Sequence, residues 1–328
     1  MNLSVIIPTR NRAVLLNNTL DSILYQTLPQ NEFEVIVIDN GSKDDTNKVV
    51  DSFKTKISNL RYFFEEKPGL HVGRHRGLKE AQSDILVYAD DDIEAFPNWL
   101  KTIKESFEDK DIALVGGKIL PKWECEIPDW IAKMWNEKIN LGQCLSYLSI
   151  LDFGDKIMEI PPGYVFGCNY SVRKEILIKS KGFHPDGMPQ ELIKYRGDGE
   201  SYVSRFVHTN NFKTLYNPDA SVFHVITKER LTVEYFCKRA YNQGVSDSYL
   251  FLRNKYISER VKNISFNEDI KFVKKNIIKF LSFVLLKLKK DLIKQNIQKS
   301  YILGYRYHQK QYKNDDTIKK WVLKEDYL

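Results

Sequence analysis

Long hydrophobic runs are missing from this 328-residue chain. No stretch of about 18 apolar residues occurs, so no transmembrane helix is expected. The opening segment from Met1 to Pro8 has a short apolar part and no basic flank, so it reads as a first strand and not as a signal peptide. Cysteine is scarce: Cys125, Cys144, Cys168 and Cys237 lie far apart, with no zinc-type spacing. The expectation is buried free thiols in a reducing compartment, hence a cytosolic protein. There is no Walker-type phosphate loop after the first strand, no internal repeat and no low-complexity linker. No recognised nucleic-acid module accompanies the lysines, so nucleic acid is not an expected partner.

What is present is globular in composition, 42% hydrophobic and 28% charged, which excludes a disordered chain. The net charge of +7 is uneven: the first half is net acidic and the lysines crowd after Lys262. Strand patterns at 4–7, 33–38, 60–64, 85–89 and 112–115 alternate with helical spacings such as Leu16, Leu20, Ile23 and Leu100, Ile103, Phe107. Strands separated by helices imply an α/β sheet with right-handed crossovers, which binds ligands beyond its strand carboxyl ends. Residues 121–165, with Trp123, Trp130 and Trp135 among prolines, read as a long connection with a short helix at 129–135. Beyond Arg230 the alternation stops and the pattern is helical. The expected division is a catalytic α/β domain over 1–230 and a helical extension over 231–328.

Asp90, Asp91 and Asp92 end the apolar run Ile85-Leu86-Val87-Tyr88-Ala89. Three carboxylates at the end of a buried strand need neutralising, because desolvating an unpaired charge is costly. Two readings stand: oxygen ligands for a hard divalent cation such as Mg2+ or Mn2+ with substrate phosphates, or a polar loop capping the helix that follows Pro97. Asp39, ending the second strand before Asn40-Gly41-Ser42, either accepts from a base or ribose or caps the turn. Arg74 lies in the next helix, where by itself it reads as solvated surface. Asp198 and Glu200 form a second acidic centre, suited to taking a proton from an acceptor hydroxyl or to capping a helix N-terminus.

The ordered motifs resemble a family 2 glycosyltransferase of the GT-A fold. They are Val5-Ile6-Ile7-Pro8-Thr9-Arg10-Asn11-Arg12, Val37-Ile38-Asp39-Asn40-Gly41-Ser42, Gly73-Arg74-His75-Arg76-Gly77-Leu78, Tyr88-Ala89-Asp90-Asp91-Asp92, Gly167-Cys168-Asn169 and Gly197-Asp198-Gly199-Glu200. The resemblance covers about residues 3–226 and implies a mixed, Rossmann-like sheet flanked by helices. It implies transfer of a sugar from a nucleotide-diphospho-sugar, with UDP as the expected nucleotide, to a saccharide or lipid-linked hydroxyl acceptor, with inversion. Donor binding is implied at Pro8, Thr9, Arg10, Asn11, Asp39, Arg74, Asp90, Asp91 and Asn169. Mn2+ or Mg2+ is implied at Asp92, with Asp90 and His224. The family usually has Glu-Asp-x-Glu or Glu-Asp-x-Asp where this chain has Gly197-Asp198-Gly199-Glu200, which leaves Asp198 as first candidate for general base and Glu200 as second. A nucleotidyltransferase and a non-catalytic nucleotide-sugar-binding protein are the alternatives.

Apolar residues from Ile270 to Leu292 recur every three or four positions among lysines. Such a helix either packs on the catalytic domain or lies on an anionic membrane surface, which would place the protein at the inner face of the cell membrane.

Overall fold

The computed structural model describes residues 2–260 and 291–328. They divide into two compact units, one of Met1–Gly187, Gly199–Leu231 and Asp326–Leu328, the other of Met188–Asp198 and Thr232–Glu325.

The first unit begins β1 (Leu3–Thr9), α1 (Ala13–Leu24), β2 (Phe33–Asp39), α2 (Thr46–Phe53), β3 (Leu60–Phe64), α3 (Leu70–Glu80) and β4 (Ile85–Ala89). It continues with β5 (Ile93–Ala95), α4 (Trp99–Ser106), β6 (Ile112–Gly116), β7 (Ile119–Trp123), α5 (Asp129–Asn136), β8 (Lys138–Ile139), β9 (Gly142–Leu145) and β10 (Ile150–Asp152). It closes with β11 (Met158–Glu159), β12 (Asn169–Arg173), α6 (Lys174–Lys179), α7 (Glu200–Thr209), β13 (Lys213–Tyr216) and β14 (Val222–Ile226).

The larger sheet runs β11-β13-β6-β12-β4-β1-β2-β3. β4, β1, β2 and β3 are mutually parallel, and β12 is antiparallel to both β4 and β6. The sheet is therefore mixed, as expected. Every residue of β1 and β2 is buried, which is why both read as nearly continuous apolar runs. Glu34, the charged residue inside these runs, is satisfied in the core by Ser4 Oγ and the Gln82 N–H at 2.7 Å each and by Arg61 Nη1 at 2.9 Å.

A second sheet, β5-β14-β7-β10-β9-β8, occupies much of what read as a long connection. Its strands β8 to β10 are two to four residues long, and several of their side chains are only half buried. Segments that short carry too few alternations to register as strands; antiparallel pairing supplies the missing stability. The short helix in that stretch is α5. Of the cysteines expected to be buried, Cys168 is, Cys144 and Cys237 are half-buried, and Cys125 is exposed on the way from β7 to α5; none is in a disulfide.

α3 sits unusually close to β1. A Cβ on Gly77 would lie 2.2 Å from Ile6 Cγ2, and one on Gly73 would lie 3.1 Å from Pro8 Cβ. These two glycines, one turn apart, put the helix backbone against the strand and carry Arg74 into the interior.

In the second unit, α8 (Val233–Arg260) packs on the helix Leu292–Asn314, followed by the helix Asp316–Val322. The two long helices meet where side chains are absent: a Cβ on Gly244 would lie 2.1 Å from Tyr301 O, and one on Gly304 2.0 Å from Tyr241 O. Asp291 and Asp315 cap the last two helices by accepting from backbone N–H groups. Apart from its final two positions, the lysine-rich stretch 270–292 lies outside the described residues. No helix among the described residues is long and apolar enough to cross a membrane.

Candidate active site

β4 ends at the middle of the larger sheet, between β1 and β12, and the three aspartates follow it directly. Asp91 and Asp92 turn inward, while the Asp90 side chain stays one-third exposed. Asp91 is held by Thr9 Oγ1 and by Arg12 Nη1, each at 2.7 Å. Arg12 also reaches Asp92 Oδ2 at 2.9 Å. Thr9 thus serves the aspartate beside it, and Arg12, not the exposed Arg10, is the arginine that the first loop delivers to the cluster. Burial, opposed by Arg12 but reinforced by Asp92, pushes the Asp91 carboxyl up to about 6. Burial and the neighbouring Asp92 also raise Asp90. Burial opposes charge on Asp92 too, but the neighbouring His224, Arg230 and Arg12 prevail and hold it well below the usual carboxylate range.

β5 then leaves for the second sheet and pairs antiparallel with β14, with Ile93 opposite His224. The Val225 N–H donates to Asp92 O at 2.9 Å, locking that register. His224 Nε2 consequently lies 3.2 Å from Asp92 Oδ1, and both residues are buried. Arg230 follows on a short 3-10 turn, Lys228–Leu231, with Nη2 2.5 Å from Asp92 Oδ2 and Nη1 3.0 Å from His224 Nε2. An arginine can only donate, so its contact makes His224 Nε2 the acceptor of a neutral ring, whose buried Nδ1 has no hydrogen-bond partner. Asp92 Oδ1 and His224 Nε2 are then two acceptors facing each other, and Asp92 Oδ1 receives no hydrogen bond. Ligand atoms of Asp90, Asp92 and His224 all lie within 4.8 Å of one another. A buried orphan oxygen, a second carboxylate and an imidazole acceptor fit a divalent cation.

Arg74 forms a second node. It is buried, not on the surface, with Nη1 3.0 Å from Glu200 Oε2 and 3.4 Å from Asp186 Oδ2, and Nη2 3.9 Å from Asp90 Oδ1. Its guanidinium lies over the Phe183 ring at 5.2 Å, where Tyr88 and Tyr170 also meet edge-on. Burial works against its charge, but Asp186, Glu200 and Asp90 keep it protonated. Gly167 is what leaves room: a Cβ there would stand 2.2 Å from Arg74 Nη2. One cation therefore links the first carboxylate centre to the second through Asp90 and Glu200. Asp198 closes the short stretch that clusters with the second unit, two residues before Glu200 opens α7.

The remaining candidates divide. Asp39 is buried at the end of β2, with Oδ1 accepting from the Ser42 N–H and Oδ2 from Tyr62 Oη, each at 2.7 Å. It caps the turn and also presents a tyrosine beside the strand ends. Asn11, at φ 54°, accepts from the Lys43 N–H at 2.7 Å and donates its own N–H to Ser42 Oγ at 2.9 Å, clasping the first two loops together. Pro8 lies in β1 against Gly73. Asn169 is turned into the core. Its Oδ1 accepts from Trp99 Nε1 and its Nδ2 donates to Ala220 O, each at 2.9 Å, so its amide braces the sheet and does not face a sugar. Trp123 and Trp130 are half-buried. Arg230, Asp186 and Tyr62 escape the sequence motifs. Asp186 and Arg230 sit in irregular segments, and only the β5–β14 pairing brings Arg230 to Asp92.

Residues 4–177 match the sequence pattern of the glycosyl transferase family 2 proteins. The glucosyl-dolichyl phosphate glucuronosyltransferase of Haloferax volcanii is 21% identical over 283 residues, covering 80% of this chain and 87% of that one. A beta-1,3-glucosyltransferase of Campylobacter jejuni that acts on GalNAc(5)-diNAcBac-PP-undecaprenol is 32% identical over 122 residues, 37% of this chain and 39% of that one. Among solved structures, the mannosyltransferase PcManGT of Pyrobaculum calidifontis, in complex with GDP-Man and Mn2+, superposes with a TM-score of 0.54 at 15% identity, covering 98% of this chain and 85% of that one. That likeness concerns the fold.

Proposed function

The chain belongs to glycosyl transferase family 2, and from that premise we propose that it moves a sugar from a nucleotide-diphospho-sugar, UDP-linked, to a hydroxyl of a saccharide or lipid-linked acceptor. The observation that carries this is the gathering of Asp90, Asp92 and His224 at the mouth of β4 in a domain of that family. The H. volcanii and C. jejuni relatives act on lipid-linked substrates by name, which supports an acceptor of that class in glycoconjugate synthesis. Nucleotidyl transfer gives way to the family match.

A Mn2+ or Mg2+ ion held by Asp92, Asp90 and His224 would neutralise the diphosphate as it leaves. The chain's own residues do the rest. Arg12 neutralises Asp91 and Asp92, so that carboxylates can stay ionised beside an anionic donor. Asp39 and Tyr62 border the strand end where a base would rest. Asp198 takes the acceptor proton as the new bond to the anomeric carbon forms and the bond to the diphosphate oxygen breaks. One such displacement inverts the configuration. Glu200 is tied to Arg74, which fixes its position.

The test is a panel of nucleotide sugars, each incubated with and without Mn2+ and assayed for hydrolysis and for transfer to lipid-linked and free saccharides. Metal-dependent turnover of a UDP-sugar is the expected result. Release of pyrophosphate, or no nucleotide diphosphate from any donor, would overturn it.

A further inference from the structure

Arg230 covers His224 Nε2, one of the ligand atoms that a cation would need, and the Oδ2 oxygen of the same Asp92 carboxylate whose Oδ1 stands unpaired. Its guanidinium contacts Asp92 Oδ2 with one nitrogen and His224 Nε2 with the other, and its side chain is only 14% exposed. Arg12 divides its Nη1 between Asp91 and Asp92, one contact to each. A planar fork spanning a carboxylate and an imidazole acceptor is an arginine geometry; a lysine ammonium is a point charge and cannot reproduce it. The neutral imidazole offers a single lone pair at Nε2, so a guanidinium N–H and a cation cannot both take it.

We infer that Arg230 is a built-in stand-in for the metal: it closes the Asp92–His224 pair when no cation is bound, must be displaced for the cation to enter, and once displaced meets the donor's diphosphate. This rests on the metal-dependent reading of the site. The displaced guanidinium keeps its charge and its turn lies beside the ligands, so the new anion is its nearest partner. The consequence is order. Cation alone competes with Arg230, whereas cation arriving with a diphosphate gives Arg230 somewhere to go, so donor and metal bind cooperatively.

The experiment measures Mn2+ affinity in the absence of nucleotide, by electron paramagnetic resonance of free Mn2+ and by calorimetry. Arg230→Met should bind Mn2+ about fivefold or more tightly than the unsubstituted protein, and Arg230→Lys should fall between them. At saturating Mn2+, Arg230→Met should bind UDP about tenfold more weakly, the loss of a charge-assisted contact. Asp92→Asn should abolish Mn2+ binding with either residue at 230. A merely structural arginine would not tighten a metal site when removed. Equal or weaker Mn2+ affinity in Arg230→Met overturns the inference while leaving the metal site standing. If none of the proteins binds Mn2+, the inference falls, and donor turnover in chelator then judges the metal reading separately.

Discussion

Arg74 Nη1 and Glu200 Oε2 stand 3.0 Å apart, with the guanidinium almost wholly buried. The same side chain faces Asp186 and Asp90, so three carboxylates converge on one buried cation. Removing it takes a buried positive charge away from all three. Arg74→Met is expected to lower stability by about 3 kcal/mol, the scale for breaking a buried pair. Arg74→Lys should lose less but not be neutral, because an ammonium cannot reach three partners. Urea titrations of both variants measure this; a loss below about 1 kcal/mol in Arg74→Met would show the pairings to be worth no more than surface ones.

Asp92 is the carboxylate on which the cation reading rests. Asp92→Asn keeps the shape and removes the charge. Transfer and the Mn2+-dependent part of nucleotide binding should vanish while the far-ultraviolet circular dichroism is unchanged. Full activity of the unsubstituted protein in excess chelator would contradict the role given to this residue.

Asp198 and Glu200 are separable by kinetics. Asp198→Asn should cut kcat by about two to four orders of magnitude, the range for losing a general base, with donor affinity little changed. Glu200→Gln should disturb Arg74 and hence donor affinity and stability. If Glu200→Gln loses turnover and Asp198→Asn retains it, the two roles are exchanged.

Stability should fall on mild acidification. Burial holds His71 down to about 3, and His75 and His308 down to about 4, from an ordinary value near 6.5. His75 shows why: Nε2 accepts from the Phe183 N–H at 2.8 Å, and Nδ1 faces Tyr327 O at 3.1 Å, so the neutral ring is fully used and an added proton would meet a donor. With folded values below unfolded ones, the unfolded chain binds more protons between about 6.5 and 4. The contribution is complete above that window and is lost as pH falls through it. The urea midpoint should be lower at pH 5.5 than at 7.5, a range that spares most carboxylates. His75→Gln should shrink the difference; an equal midpoint at both pH values would refute the argument.

Much of the first sheet was legible because parallel strands buried on both faces are written as apolar runs, and because charge at their ends has few uses. Asp90 to Asp92 stood out for that reason. The second sheet was not legible. Its strands are too short to show a period, and their pairing is decided by partners far along the chain. Arg74 could be placed on a helix but not in the core; its burial depends on Gly73 and Gly77 admitting the helix to β1, a packing fact and not a local one. Asn169 shows the converse. The resemblance implied a donor contact there, yet Trp99 and Ala220 engage both ends of its buried amide. Arg230 carried no signal at all, since nothing near it in sequence announces an ion pair 138 residues away.

That separation has a kinetic side. The strands β1 to β4 can assemble from neighbours in sequence, but Asp92 meets His224 and Arg230 only when β14 has closed a very long loop onto β5. Closing such loops is slow compared with local pairing. During refolding, the core around Trp99 should therefore harden before Asp92, His224 and Arg230 come together. The closure of that cluster becomes a late signal that the whole first unit has been threaded correctly.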